Sequence, residues 1–214
     1  MKDSPIYLKQ LEVGPMQNFI YLIGDRNKRE CVMVDPAWDV ASVLKEAEKD
    51  EMKVTGALVT HAHFDHVNGL DDFLKHVKGR IYCQRHEAEF LKEWRSDLKP
   101  VEDGEKLTVG KIQITFLHTP GHTPGSQCFL VENQLVSGDT LFIQACGRCD
   151  LPGGDPEQMY YSLKRLSDLD KNTTLYPGHN YSDEPASTIG QEKRWNPYLQ
   201  SPNLQEFLAF RMGG

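Results

Sequence analysis

No run of consecutive apolar side chains in these 214 residues exceeds the one at residues 19–23, whereas a membrane-crossing helix needs about 20. A basic surplus is also missing. The 24 Lys and Arg face 31 Asp and Glu for a net charge of −7, which excludes a chain built to neutralise a nucleic-acid backbone. Cysteine is sparse and its count of 5 is odd, so no disulfide framework is expected; a chain of this length buries about 70% of its unfolded surface without one. The first residues carry a lysine but no apolar stretch, and together with unpaired thiols this gives the expectation of a cytoplasmic protein. Low-complexity tracts and internal repeats are absent, which removes solenoids and propellers. The expectation is one domain over residues 1–214, with residues 184–214 as a short C-terminal helical extension.

The apolar pattern changes period along the chain. Residues 6–11, 19–23 and 31–34 are short apolar runs separated by turn signals at Gly14-Pro15 and Gly24-Asp25, and read as strands. Val40, Val43, Leu44 and Ala47 then fall on one face of a helix that Asp39 would cap. Residues 54–60 read as a strand, Leu70, Phe73, Leu74 and Val77 as a helix face, and residues 81–83 as a strand. A short helix is expected over residues 87–94. Strands follow at 107–109, 112–117, 128–131 and 135–136. Asp155-Pro156-Glu157-Gln158 is a helix start, with Asp at the cap and Pro in the first turn. A last strand at 175–176 and two helices close the chain, the second with a stripe of Leu204, Phe207, Leu208 and Arg211. Strands in two groups with helices interspersed define an α/β or α+β class with a sheet-based core.

Polar residues gather where strands end. His61-Ala-His63-Phe-Asp65-His66 places three imidazoles and a carboxylate directly after an apolar strand, and these ligand types suit zinc, iron and manganese. Residues 61 and 63 of an extended segment point the same way while 65 and 66 diverge, so one segment can feed two neighbouring metal positions. His122 in Thr119-Pro-Gly-His-Thr-Pro-Gly125, Asp139 in Ser137-Gly-Asp-Thr140 and His179 in Tyr176-Pro-Gly-His-Asn180 occupy similar strand exits. Each alone reads as a turn residue; together they supply a large ligand set. His76, His86 and His118 fall outside it. Cys146 and Cys149 have C-x-x-C spacing but no second pair for a zinc ribbon, and read as loop residues near the rim. Cys31, Cys83 and Cys128 read as small core residues.

This arrangement of His-x-His-x-Asp-His, Gly-His, Gly-Asp and Pro-Gly-His resembles the metallo-β-lactamase superfamily across nearly the whole chain. The resemblance implies a four-layer αββα sandwich with metals at one edge of the two sheets. It implies one metal on His61, His63 and His122, a second on Asp65, His66 and His179, and Asp139 bridging both. It further implies two divalent ions, zinc before iron or manganese, and a metal-bridging hydroxide attacking a carbonyl. Asp139 and Asp65 would be the catalytic carboxylates, Asp65 also orienting the nucleophile.

The stretch from Gly138 to Asp150 and that from Ser187 to Tyr198 resemble glyoxalase II and the persulfide dioxygenases. By that resemblance Arg148 and Tyr181 are substrate contacts, although Asp150 stands where glyoxalase II carries a Tyr. The implied substrate is a small acyl-thioester such as a hydroxyacylglutathione, whose thiolate is a good leaving group. The alternative is a glutathione persulfide dioxygenase with a single iron on His61, His122 and Asp139. A small thioester or thiol is the expected partner, with no nucleic acid and no membrane, and a homodimer as a possibility.

Overall fold

The first sheet is a meander that turns into parallel crossovers. In a computed structural model that describes residues 5–213, β1 (Ile6–Val13), β2 (Asn18–Asp25) and β3 (Glu30–Val34) pair antiparallel. Helix α1 (Val40–Lys49) then crosses to β4 (Lys53–Leu58), parallel to β3. The one-turn α2 (Phe64–Val67) and α3 (Leu70–His76) lead to β5 (Ile81–Gln84) and β6 (Leu98–Val101), both added in parallel. Residues 1–4 and 214 of the expected domain span lie outside the described residues.

The second sheet has the order β14-β13-β10-β9-β8-β7. Its antiparallel run is β7 (Lys106–Val109), β8 (Ile112–His118), β9 (Gln127–Val131) and β10 (Gln134–Gly138). A small hairpin, β11 (Leu141–Phe142) and β12 (Ala145–Cys146), precedes α4 (Pro156–Ser167). Strand β13 (Thr174–Pro177) returns parallel to β10, and β14 (Ser187–Thr188) closes the edge. Helices α5 (Ile189–Trp195) and α6 (Leu204–Met212) follow.

Strand alternation sorts the side chains into layers. Ile20 and Leu22 of β2 and Cys31 and Met33 of β3 face α1 and α3, meeting Val40, Val43, Leu70 and Phe73. Their neighbours Phe19, Tyr21, Ile23, Val32 and Val34 turn inward to Ile114, Phe116, Phe129 and Val136 of the second sheet. Leu117, Cys128, Leu135 and Leu175 face outward from that sheet onto Met159, Leu163, Ile189 and Phe207 of the last three helices. Period-2 strands buried on both faces between two helical layers make the αββα sandwich of the metallo-β-lactamase fold. Helix starts follow their caps, with Asp39 accepting from Ser42 N and Asp155 from Gln158 N. No helix among the described residues is long and apolar enough to cross a membrane.

The helix expected over residues 87–94 does not form. That segment is a series of turns ending in a single 3-10 turn at Lys92–Trp94, because the Glu87 carboxylate is drawn inward to bond Ala62 N and Gly125 N. Strand β6 went unread, since Lys99-Pro100 makes it a polar strand at the edge of its sheet.

Candidate metal centre

All seven implied ligands meet at one edge of the sandwich, each delivered by the segment that follows a strand. His61 and His63 leave β4 in extended backbone; the chain then coils at once into α2, which carries Asp65 and His66. His122 comes from the β8–β9 loop, Asp139 follows β10, and His179 follows β13. Close approach of these segments depends on glycine. At Gly178 a Cβ would lie 2.3 Å from Asp139 Oδ1. At Gly138, with φ +50°, it would lie 2.6 Å from the Thr60 side chain.

Three groupings place their ligand atoms within 4.8 Å of one another: His61, His63 and His122; His61, His66 and Asp139; and Asp65, His66 and His179. Asp139 stands between the outer two, with its oxygens 3.4 Å from His66 Nε2, 3.4 Å from His179 Nε2 and 3.6 Å from His122 Nε2. Asp65 Oδ2 is 3.5 Å from His66 Nε2 and 3.4 Å from His179 Nε2. These separations match the edge of a tetrahedron of ligands around zinc, about 3.3 Å for bonds of about 2.0–2.1 Å.

The outer nitrogens of four imidazoles are committed elsewhere. His122 Nδ1 donates to Arg148 O at 2.7 Å, and His179 Nδ1 donates to Met16 O at 2.9 Å. Asp35 accepts Thr60 N at 2.7 Å on Oδ1; on Oδ2 it accepts Thr60 Oγ1 at 2.6 Å and His66 Nδ1 at 2.9 Å. Because the Thr60 hydroxyl hydrogen goes to Asp35, its oxygen accepts from His61 Nδ1 at 3.0 Å. One carboxylate oxygen therefore orients an imidazole from each outer grouping. With Nδ1 protonated in all four rings, every Nε2 presents a lone pair to the centre.

That arrangement fits a cation. His61 Nε2, His122 Nε2 and Asp139 Oδ1 are buried with no hydrogen-bond partner, and His66 Nε2 faces His179 Nε2 at 3.2 Å. Two lone pairs at that distance repel unless a proton or a metal lies between them, and buried orphan acceptors call for a missing partner. Burial and the neighbouring imidazoles hold His61 well below the ordinary histidine range, and burial and His122 bring His63 down to about 4. Burial alone would raise the Asp139 and Asp65 carboxyls. For Asp139 the charge of His66 and the His179 bond outweigh it; for Asp65 the His179 bond, the charge of His66 and the Asn18 bond do so, and both fall below the carboxylate range. Burial works against the charged forms of His66 and His179, but Asp139 outweighs it for both, helped by Asp35 at His66 and by Asp65 at His179, so both are raised, His179 to about 10. A metal binds neutral imidazoles beside ionised carboxylates and would take the place of those protons.

Several contributors were not singled out from the sequence. Asp35 and Thr60 form the relay above. Asn18 Nδ2 donates to Asp65 Oδ2 at 3.0 Å and is itself held by Trp38 Nε1 at 2.8 Å. Buried Glu87 ties the His61–His63 segment to the His122 loop through Ala62 N, Gly125 N and Thr123 Oγ1. Only Asp35, at a strand exit in Val34-Asp35-Pro36, shared a setting with the ligands that could have flagged it.

The expected substrate contacts lie on the rim. Tyr181 stacks on His179 with ring centroids 4.6 Å apart and an interplanar angle of 10°, and remains 60% exposed. The Arg148 guanidinium is forked onto Asp150, with Nε–Oδ1 at 2.9 Å and Nη2–Oδ2 at 2.6 Å. His118 lies away from the ligands, bonded to Pro124 O and stacked on His86. Cys146 ends β12 and Cys149 lies in the loop that follows; both are buried free thiols near α6, where Arg211 Nε donates to Gly147 O. Burial pushes both thiols up, so neither is a ready nucleophile.

The fold and the ligand geometry together define a metallohydrolase-type scaffold. The description "Metallo-beta-lactamase superfamily" matches residues 13–179, and the chain belongs to that superfamily. It is 31% identical over 195 residues to the probable polyketide biosynthesis zinc-dependent hydrolase BaeB of Bacillus velezensis, covering 91% of this chain and 87% of that one. To the mitochondrial persulfide dioxygenase ETHE1 of Homo sapiens it is 32% identical over 209 residues, covering 96% and 80%. To a hydroxyacylglutathione hydrolase of Photobacterium profundum it is 33% identical over 183 residues, covering 86% and 69%. Among solved structures, ETHE1 from Myxococcus xanthus superposes with a TM-score of 0.88 at 29% identity, covering 96% of this chain and 90% of that one. A di-iron-bound form of TTHA1623 gives 0.77 at 31% identity, covering 89% and 100%. These relatives place the chain in the branch shared by glyoxalase II and the persulfide dioxygenases.

Proposed function

We propose that this protein is a metal-dependent hydrolase of small acyl-thioesters. The observation that carries the reading is the double grouping of ligand atoms on either side of Asp139, with His61 Nε2, His122 Nε2 and Asp139 Oδ1 left without hydrogen-bond partners. His61, His63 and His122 would hold one ion, Asp65, His66 and His179 the other, and Asp139 would touch both. Such a pair, with zinc first and iron or manganese next, activates water near neutral pH and polarises a carbonyl.

The chain's own residues do the rest. Asp65 is fixed through Oδ2 by Asn18, which leaves Oδ1 available to accept a hydrogen bond from an incoming water and orient it. The Asp35–Thr60 relay holds Nδ1 of His61 and His66 outward and turns their Nε2 toward the ligand cluster, and the carbonyls of Arg148 and Met16 do the same for His122 and His179. In the reaction water oxygen bonds the acyl carbon, the C–S bond breaks, and sulfur leaves as thiolate and takes up a proton. Both Cys146 and Cys149 are buried with raised thiols, so neither is called on as a nucleophile.

A second reading rests on the likeness to the persulfide dioxygenases, which extends over 96% of the chain. In it His61, His122 and Asp139 would hold one iron, whose chemistry would let dioxygen oxidise a glutathione persulfide, both oxygen atoms going to sulfur. Elemental analysis of the purified protein, with turnover measured in air and under argon, separates the two. Two metals per chain and oxygen-independent release of thiol from an acyl-thioester support the hydrolase. One iron with oxygen uptake on persulfide and no thioester turnover overturns it.

A further inference from the structure

Two recesses flank the metal centre, one touching His63 and the other reached through Tyr181 stacked on His179, and their chemistry differs. Beside His63 is a small pocket of about 60 Å³ walled by Phe90, Pro124 and Pro152, with Ala62 and Thr123 behind and the Glu87 carboxylate, already bonded to Ala62 N, Thr123 Oγ1 and Gly125 N, at its floor. By the space one water needs, it holds a group of roughly four non-hydrogen atoms. Beyond the other grouping, past Tyr181 on His179, is an open groove of about 570 Å³ lined by Gln17, Gln144 and Asn180, with Ile143, Ser182 and Asp183. No Lys or Arg lines either recess. The carboxamides of Gln17 and Gln144 have no protein partner, and Asn180 uses only its amide nitrogen, donating to Glu12 at 2.7 Å.

An anionic thiol needs a cation in reach, and neither recess is lined by one. Arg148 gives the Nε–Nη2 edge of its guanidinium to Asp150, so a carboxylate arriving there meets a pair of zero net charge and must compete with Asp150 for it. Asp183 in the groove adds repulsion. Free carboxamides, by contrast, match the donors and acceptors of an amide-bearing chain, and the exposed Tyr181 face gives its methylenes a surface.

Resting on the thioester reading, we propose that the thiol arm of the substrate is uncharged and amide-bearing and lies along the Gln17–Gln144–Asn180 groove, while a short apolar acyl group occupies the Phe90–Pro124–Pro152 pocket. A linear thioester with its carbonyl at the metal centre then sends one arm each way. Its hydrolysis forms the acyl C–O bond, breaks C–S, and releases the carboxylic acid and the neutral thiol.

Two measurements test it. Calorimetry on the metal-free protein compares S-methylpantetheine, a neutral arm with two amides, with S-methylglutathione, whose arm carries two carboxylates. Steady-state kinetics on the metal-loaded enzyme compare S-acetylpantetheine with S-acetylglutathione. The neutral arm is expected to bind about tenfold more tightly, with the difference appearing in KM and kcat within about threefold. Asp150→Asn, which frees the Arg148 fork, is expected to narrow that preference by raising affinity for the glutathione arm alone. Equal or tighter binding of S-methylglutathione by the wild-type protein overturns the inference without touching hydrolysis. Absence of turnover on both thioesters, with the binding preference intact, overturns the hydrolase reading and leaves the groove assignment standing.

Discussion

Replacing Asp35 with Asn isolates the hydrogen-bond relay from everything else in the site. Asp35 is 2% exposed and holds a left-handed backbone at φ +51°, a conformation that Asn tolerates better than other non-glycine residues. The backbone therefore has no reason to move, and the volume is unchanged. What changes is chemistry at Oδ2, which accepts from His66 Nδ1 and Thr60 Oγ1. An amide nitrogen at that place donates instead, so His66 must accept at Nδ1 and carry its hydrogen on Nε2, pointing into the ligand cluster. Thr60 loses its acceptor, and its grip on His61 Nδ1 weakens. If the amide flips to keep its oxygen there, Thr60 N loses its partner instead. Loss of one such outer partner weakens metal binding by about 10–100-fold, or about 1.4–2.7 kcal/mol. Because the same oxygen serves both outer groupings, both ions should be affected. Metal-free stability should fall by a comparable amount, about 1–3 kcal/mol. Competition against a chromophoric chelator gives the affinities, and urea unfolding of the metal-free protein gives the stability. Affinities within about threefold of wild type, in a variant that unfolds cooperatively, would refute the relay.

Other perturbations probe different links. Asp139→Ala should leave the two outer groupings unbridged, with loss of bound metal by elemental analysis and a fall of more than ~10²-fold in thioester turnover; retention of both sinks the bridging role. Gly178→Ala puts a methyl 2.3 Å from Asp139 Oδ1 and 2.9 Å from the Gly138 carbonyl carbon, so it should displace that carboxylate and lower metal content while reducing the urea stability by only about 1–3 kcal/mol. The Asp25 carboxylate, pushed up by burial but pulled further down by backbone N–H groups of Lys111, Lys28 and Asn27, titrates below its ordinary range in the folded state. Its contribution is therefore complete above the unfolded value near ~4 and is lost as pH falls through the lowered folded value. The gap in unfolding midpoint between wild type and Asp25→Asn should be full at neutral pH and close in acid; a gap that widens in acid contradicts the assignment.

What could be read from the sequence, and what could not, divides by the range of the interaction. Strand β2 was visible because Phe19, Tyr21 and Ile23 alternate with Ile20 and Leu22, and burial on both faces leaves an unbroken apolar run. Asp39 and Asp155 announced their helices because a cap is a bond between residues three apart. The ligands were legible because metal chemistry restricts residue type and a resemblance supplied the spacing. Glu87 shows the limit. Nothing local distinguishes it from a solvated helix residue, and the periodicity from 87 to 94 favoured a helix. Yet its carboxylate is buried by a loop 36 residues further on and by a backbone N–H 25 residues before it. Tertiary bonds of that kind override propensity, and they do so here to lock together two ligand-bearing segments. Arg148 shows the same principle at short range. Its residue type suits an anion, but its partner two residues on already holds the Nε–Nη2 edge of the guanidinium. Side-chain identity states what a residue can bind; only the partners that reach it first decide whether it remains available.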